Sequence, residues 1–388
     1  MKQGWEIKKL GDVCELYQPK TISSKEMIDD GEYSVFGANG IIGKYNKYNH
    51  EEPQLLITCR GATCGSVNIS EPKSWINGNA MVVRSIDDSL NLKFIEYFFR
   101  GGIDISKTIT GAAQPQITRQ SLSPVLISFP KSLLEQQKIV AILNEAYTAI
   151  AKAKANSQQN LKNSKELFES YLQNVFDTKG EGWEEKTLGE IATFRNGMNF
   201  TKSSKGEKIN IVGVKDFQNS FWVPFETLET VTLDGKLNNI DLLNEGDILA
   251  VRSNGNPQLI GRTLLASEVV GKVSHSGFTI RIRLNTKNID PIYLCNFLKI
   301  AKTRKILVDG GNGVGIKSLN QGSLAALLIP IPPLKQQQTI VQKLNALSLE
   351  TKKLEAIYQQ KIKDLEELKK SVLQKAFSGE LKTEKEVA

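Results

Sequence analysis

The chain has 388 residues, 40% of them apolar and 24% charged, with a net charge of +8 and a pI near 9.0. This is the composition of a soluble globular protein of two or three domains with a sizeable buried core, and its basic balance favours a polyanionic partner over an acidic small substrate without excluding the latter. Four cysteines (Cys14, Cys59, Cys64, Cys295) and two histidines (His50, His275) cannot assemble a zinc constellation. Free thiols in a reducing compartment are expected. The N-terminal MKQGWEIKKLGD lacks the apolar core of a signal peptide, and no run of about 18 apolar residues offers a membrane span.

In chain order the first segment opens with GWEIKKLGDVCEL (residues 4–16). Strand-like apolar runs follow at PQLLITC (53–59) and AMVVRSI (80–86), then a short helix at KFIEYFFR (93–100). SFPKSLLEQQKIVAIL (128–143) opens a long helix, and SYLQNVF (170–176) stands near its end. The chain then begins again. GWEEKTLGEIATF (182–194) repeats the opening, with Gly4, Trp5, Leu10 and Gly11 returning as Gly182, Trp183, Leu188 and Gly189. GDILAVR (246–252) and FTIRIRL (278–284) read as strands, IYLCNFLK (292–299) as a helix, and PIPPLKQQQTIVQKL (330–344) leads into a second long helix closed by SVLQKAF (371–377). The two tryptophans read as core residues before a Leu-Gly turn.

Both long segments carry a heptad seam. Ile139, Leu143, Ala146, Ile150 and Ala153 form the first, and Ile340, Leu344, Leu347, Thr351, Leu354, Tyr358, Leu365, Leu368 and Val372 the second. No Pro or Gly interrupts either run. Pro130, Pro332 and Pro333 precede them, and Gly180 and Gly379 follow where left-handed caps are expected. At about 45 residues each helix would span roughly 65–70 Å, too long to remain solitary, so the seams are expected to pack on each other antiparallel. The expected fold class is α/β (α+β): two similar domains joined by two long antiparallel coiled-coil helices, with pseudo-twofold internal repetition. The expected boundaries are 1–130, 131–179, 180–330 and 331–388.

Catalytic patterns are missing. GGNGVGIKS (310–318) has phosphate-loop glycines at Gly310 and Gly315 but Ile316 where a Lys is needed. NPQL (256–259) matches half of an amine-methylation motif, without a second Pro, an aromatic or a glycine-rich S-adenosylmethionine loop. No Ser-His-Asp arrangement or paired-acid nuclease motif stands out. A reader or scaffold fits this absence better than an enzyme.

The paired GWE…LG starts, the Pro-Leu-x-x-Gln-Gln-x-Ile-Val openings of the long helices (332–341 and, less closely, 130–140) and the paired helix ends together resemble the specificity subunits of type I restriction–modification systems over essentially the whole chain. Lys131 and Ser132 stand where the second copy has Pro333 directly before the Leu. The resemblance implies two target recognition domains, each reading half of a split double-stranded DNA site, and a coiled coil that sets the unread spacer. It implies two methyltransferase subunits as partners and, where present, two motor–nuclease subunits. S-adenosylmethionine would then belong to the methyltransferase, and ATP with Mg²⁺ to the motor. No cofactor and no metal is expected in this chain, which would be a non-catalytic cytoplasmic protein. A coiled-coil structural protein, or a methyltransferase-linked protein with cryptic catalysis, remain the alternatives.

Bases are read by Arg, Asn and Gln, and phosphates are held by Lys and Arg. Polar loops nominate Asn39, Lys44, Lys47, Arg60, Thr63, Gln114 and Gln116 in the first domain. In the second they nominate Lys202, Ser204, Lys205, Arg252, Asn254, Asn256, Asn312 and Lys317. Arg60 and Arg252 follow matching strands and reinforce each other. For any one of these residues the plainer reading, a solvated loop residue or a turn former, carries more weight. By the resemblance, the exposed helix faces would dock the methyltransferase, with Gln136, Gln137, Gln337 and Gln338 as candidate contacts; a merely solvated polar face is the other reading.

Overall fold

The computed structural model describes residues 3–37, 39–111, 114–201, 203–218, 220–234, 236–309 and 318–382. The chain divides into two compact units, one of Met1–Gln159 with Tyr358–Ala388 and one of Asn160–Ile357.

Unit 1 begins with β1 (Trp5–Lys9), a single turn α1 (Leu10–Val13), β2 (Cys14–Tyr17), β3 (Tyr33–Gly37), β4 (Gly40–Tyr45), β5 (Leu55–Thr58), β6 (Val67–Ile69), β7 (Trp75–Ile76) and β8 (Ala80–Ser85). Then come α2 (Leu92–Tyr97), a one-turn α3 (Arg119–Leu122), β9 (Leu126–Pro130) and the long α4 (Leu133–Asp177), whose first part belongs here. The main sheet runs β2-β8-β5-β6 and a smaller one β4-β3-β7, while β1 pairs with β9. The central β5 is a continuous apolar run because both its faces are covered. Leu55 and Ile57 join the large core with Phe94 and Leu122. Leu56 points the other way, to Phe36, Ile76 and Val82.

Unit 2 repeats this order. It holds β10 (Glu184–Thr187), the turn α5 (Leu188–Ile191), β11 (Ala192–Asn196), β12 (Lys208–Val212), β13 (Glu229–Thr232), β14 (Ile248–Val251), β15 (Thr263–Leu265), β16 (Val273–His275) and β17 (Thr279–Leu284). After these come α6 (Pro291–Lys299), α7 (Ala301–Asp309), α8 (Gln321–Ala325), β18 (Leu328–Ile331) and α9 (Leu334–Ser378), whose last part returns to unit 1. Its sheets run β11-β17-β14-β15 and β13-β12-β16, and β10 pairs with β18. Each small sheet joins one antiparallel and one parallel neighbour to its middle strand. Where unit 1 buries Val82 on β8, unit 2 buries Arg281 on β17, and its guanidinium donates to the carbonyls of Ile240 and Leu242. Beside it Arg283 grips the buried Asp247 with two bonds of 2.7 Å.

The long helices each have 45 residues. Within unit 1, Lys154 of α4 bonds Glu366 of α9 at 2.7 Å, and the Lys369 ammonium lies 4.7 Å from the centre of the Tyr147 ring. One number rises as the other falls, so the packing is antiparallel. Within unit 2, Leu172 and Phe176 of α4 share a core with Leu344 and Val341 of α9. The helix ends explain the SYLQNVF/SVLQKAF repeat. Phe377 packs on Phe94 and Phe98 in unit 1, at ring distances of 5.0 and 5.6 Å. Phe176 packs on Tyr293 and Phe297 in unit 2, at 5.1 and 5.3 Å.

Two sequence expectations need correction. Leu354 and Leu368 of the expected seam are 37% and 48% exposed, whereas its Tyr358, Leu365 and Val372 are half-buried, joined by Glu355 and Ile362. Thr351, Tyr358, Leu365 and Val372 keep the seven-residue spacing and stay covered, so that side of the seam holds; the other covered line runs through Glu355 and Ile362, one residue beyond the line that Leu354 and Leu368 share. Gly379 has the left-handed φ of 77° expected of a cap, and the N–H groups of Glu380 and Leu381 donate to the Lys375 carbonyl. Gly180 does not; α4 already ends at Asp177, and the left-handed residue is Gly182, at φ 80°.

Candidate nucleic-acid interface

In unit 1, the chain leaving β5 meets a segment from far downstream. The Thr110 and Gln116 backbones exchange two 2.8 Å bonds, Gln116 bridges to Arg60, and the Ile117 N–H donates to the Cys59 carbonyl at 2.9 Å. This clamp brings Arg60, Gln114 and Gln116 to the rim of one open concavity of about 700 Å³, with Gly61, Ala62 and Pro115. The turn requires Gly111. Its φ is +85°, and a Cβ there would stand 2.5 Å from the Gln114 carbonyl oxygen. Thr63 is exposed on the adjoining turn. Asn39, Lys44 and Lys47 are also exposed, but on the β3–β4 hairpin and the loop after it, beside the smaller sheet and outside this concavity.

In unit 2, a concavity of about 570 Å³ collects residues from the 199–208 loop (Phe200), the 251–258 loop (Ser253, Asn254) and the β16–β17 turn (Ser276, Phe278), with Lys215 and Glu229 on another side. Asn254 and Asn256 build their own loop: the Asn254 Oδ1 accepts the Asn256 N–H at 2.8 Å, and the Asn256 Oδ1 accepts the Gln258 N–H at 3.0 Å. Arg262 and Arg304 hold the far side of that loop, both donating to the Gln258 carbonyl. Ser204 is also a loop builder, accepting the Thr201 N–H and donating to Asp234. Lys205 is exposed. Lys202, Asn312 and Lys317 lie outside the described residues.

Arg60 and Arg252 are not equivalent. The Cys59 N–H donates to the Asn79 carbonyl and the Cys59 carbonyl accepts from Ile117; Arg252 makes the same pair of bonds with Phe278 and Leu319. The counterpart of Arg252 is therefore Cys59. Arg60 stands one residue further on, where a one-residue step turns the side chain to the opposite side. The mutual support inferred from sequence fails for this reason. The same alignment exposes two positions missed in the sequence: Asn79 and Phe278, equivalent and both exposed. Their only sequence signal is a Gly before each, in loops carrying no Arg or Lys.

The helix-start glutamines divide. Gln136 and Gln337 have no exposed surface. Gln136 accepts the Asn91 N–H at 2.7 Å and donates to the carbonyls of Ser89 and Pro130 at 2.8 and 2.9 Å. Gln337 does the same with Asp290, Asn288 and Pro332. A side chain enclosed and bonded in this way cannot face a second protein, so the docking expectation is corrected for these two. Gln137 and Gln338 are exposed.

Burial pushes the Cys14 thiol up to about 12 and those of Cys59 and Cys295 to about 11, away from the thiolate a nucleophile needs. Among the described residues no group of three or more His, Cys, Asp or Glu side chains converges as for a metal. No described helix is long and apolar enough to cross a membrane.

A family model described as the type I restriction modification DNA specificity domain matches residues 2–163 and again 180–365. The chain belongs to the type I restriction–modification specificity family. As a member it is a DNA sequence-specificity subunit, and the two matched stretches each cover one copy of the repeated topology. The StySPI specificity subunit of Salmonella potsdam is 25% identical over 364 residues, covering 89% of this chain and 73% of that protein. The EcoDI specificity subunit of Escherichia coli is 21% identical over 97% of this chain and 88% of its own. In fold the chain resembles the HsdS subunit of Thermoanaerobacter tengcongensis (TM-score 0.63, 18% identity, 98% of each chain). It also resembles a chain from work on assembly and conformational transition of the type I system (TM-score 0.77, 16% identity, 98% and 99% covered).

Proposed function

We propose that the loop cluster of each unit reads one half of a split duplex DNA site, through residues 1–130 in the first and 180–330 in the second. The observation that carries this reading is the repeat itself. Two four-stranded sheets of the same strand order end in loop clusters of different chemistry, Arg and Gln in one, Asn and Phe in the other. A shared scaffold with diverged loops is what reading two different half-sites requires. Asn39, Lys44, Lys47, Thr63 and Lys205 supply phosphate or flanking contacts in this reading, with Arg60, Gln114, Gln116, Arg252 and Asn254 nearer the bases. Ser204 and Asn256 serve mainly by shaping their loops. Lys202, Asn312 and Lys317 are proposed DNA contacts on sequence grounds alone.

The two long helices set the spacer, and their exposed faces, Gln137 and Gln338 included, dock two methyltransferase subunits that carry S-adenosylmethionine. Where present, two motor–nuclease subunits using ATP and Mg²⁺ join the complex. This chain itself catalyses nothing and works in the cytoplasm with the DNA. The test is a methylation map: the chain is expressed with its methyltransferase in a host lacking adenine methylation. A split motif is expected, and exchanging residues 1–130 for those of another family member should change one half of it only. A continuous motif, or a swap that changes both halves, would overturn the reading.

A further inference from the structure

The unit 2 concavity has a chemistry that a simple polar reading surface does not need. Two aromatic side chains flank it, Phe278 61% exposed and Phe200 36% exposed, with Ile211 and Val214 completing an apolar wall. An aromatic left this open on a turn between two strands gives up burial unless something covers it. Its counterpart in unit 1, Asn79, is polar, so the exposed ring is not demanded by the scaffold.

Asn254 lines the same concavity, and its orientation is fixed. A backbone N–H donates to its side chain, so the accepting atom must be Oδ1. That oxygen is occupied by the Asn256 N–H, which leaves the Nδ2 group as a pure donor, with no partner among the described residues. A donor beside an apolar hollow matches one base edge in the major groove. Thymine presents the O4 acceptor next to the C5 methyl, whereas cytosine presents an amino donor and no methyl. Adenine and guanine offer acceptors but nothing apolar to fill the hollow.

We propose that the hollow between Phe200 and Phe278 is a subsite for the C5 methyl of a thymine in the half-site read by unit 2, with the Asn254 Nδ2 donating to that thymine's O4. This deepens the half-site reading above and rests on it. Phe278 supplies apolar contact, and Asn254 supplies the polarity that excludes cytosine.

The test uses the full chain in complex with its methyltransferase and duplexes carrying the mapped motif. Replacing each thymine of the second half-site in turn by deoxyuridine removes only the methyl. One position is expected to lose affinity by about fourfold, the effect of leaving one methyl unburied. In Phe278→Ala that position should no longer distinguish thymine from deoxyuridine, while the first half-site is unchanged. Asn254→Asp keeps the oxygen that builds the loop and removes the donor, and it should shift the methylated motif at that position from thymine towards cytosine. A second half-site without an A·T pair, equal effects of Phe278→Ala on thymine and deoxyuridine, or an unchanged motif in Asn254→Asp would overturn the subsite. A Phe278-dependent rise in 2-aminopurine fluorescence next to the site would overturn it in favour of a ring inserted between base pairs. Exchange of residues 180–330 separates the two levels. If the exchange alters the second half of the motif but these substitutions do not, the subsite is wrong and the half-site reading stands. If the exchange alters nothing, the half-site reading itself has failed.

Discussion

Gln136 and Gln337 make the same three hydrogen bonds, each joining the start of a long helix to the loop that caps the short helix beside it. In both copies the side-chain oxygen takes the N–H of the capping residue, Asn91 or Asp290, whose own side chain caps the first turn. The amide nitrogen satisfies two carbonyls, a buried one from Pro130 or Pro332 and a partly buried one from Ser89 or Asn288. One amide thus ties the start of the long helix to the neighbouring loop in each unit.

Replacing either glutamine by Ala would leave a partly buried N–H and two carbonyls, one of them buried, without partners. Each orphaned group costs about 1–3 kcal/mol. Gln136→Ala and Gln337→Ala are therefore expected to lower the urea midpoint markedly, while Gln137→Ala and Gln338→Ala leave it unchanged. Equal midpoints for all four would show the buried amides to be dispensable.

Phe176 and Phe377 close the two cores, each at the C-terminal end of its own long helix. Truncation of a buried Phe to Ala costs about 3–5 kcal/mol. Phe377→Ala should expose the amides of α2 to hydrogen exchange without affecting those of α6, and Phe176→Ala should do the reverse. Protection lost in both units from either change would contradict this division.

Arg60 and Lys47 are expected to fail differently on DNA. Arg60→Ala should relax the sequence read in the first half-site. Lys47→Ala should weaken binding to all sequences alike and reduce the slope of log affinity against log salt by about 1. Salt titrations of binding to matched and mismatched duplexes separate the two.

His275 is buried against Thr279, with its ring nitrogen 2.9 Å from the hydroxyl. Burial first, and then the nearby Arg281, push its pKa down to about 3. Asp241 opposes this shift, and Arg195 and Arg283 add to it. The folded state keeps the ring neutral, whereas the unfolded chain takes up a proton below about 6.5. Unfolding therefore binds protons, and stability falls as the pH drops from about 6.5 towards 3. Between pH 6.5 and 5 the wild type should lose up to about 2 kcal/mol that His275→Gln does not lose. Parallel slopes for the two proteins would refute the assignment.

Much of the architecture was legible in the chain because it is written in periodicity. The runs at 53–59, 80–86, 246–252 and 278–284 became β5, β8, β14 and β17, the central strands; β5, β8 and β14 are mainly apolar because both faces are covered, whereas β17 sets Arg281 and Arg283 among its apolar residues. The long helices were legible from seams uninterrupted by Pro or Gly, and the duplication from Trp, Leu and Gly at a fixed offset.

What the sequence by itself determined is thus a repeated scaffold, its elements and their order, since these depend on local pattern. The tertiary structure alone decided which polar residues are exposed and which are spent inside. Gln136 looks like surface on a helix, yet its partners come from loops distant in the chain, and a buried amide is affordable only where such carbonyls and N–H groups meet it. Arg60 and Arg252 look equivalent, yet ladder register offsets them by one residue and turns them to opposite sides. Phe278 carries no signal of its own until three segments close around it. Hydrogen-bond satisfaction and strand register are long-range conditions, fixed only when remote segments meet.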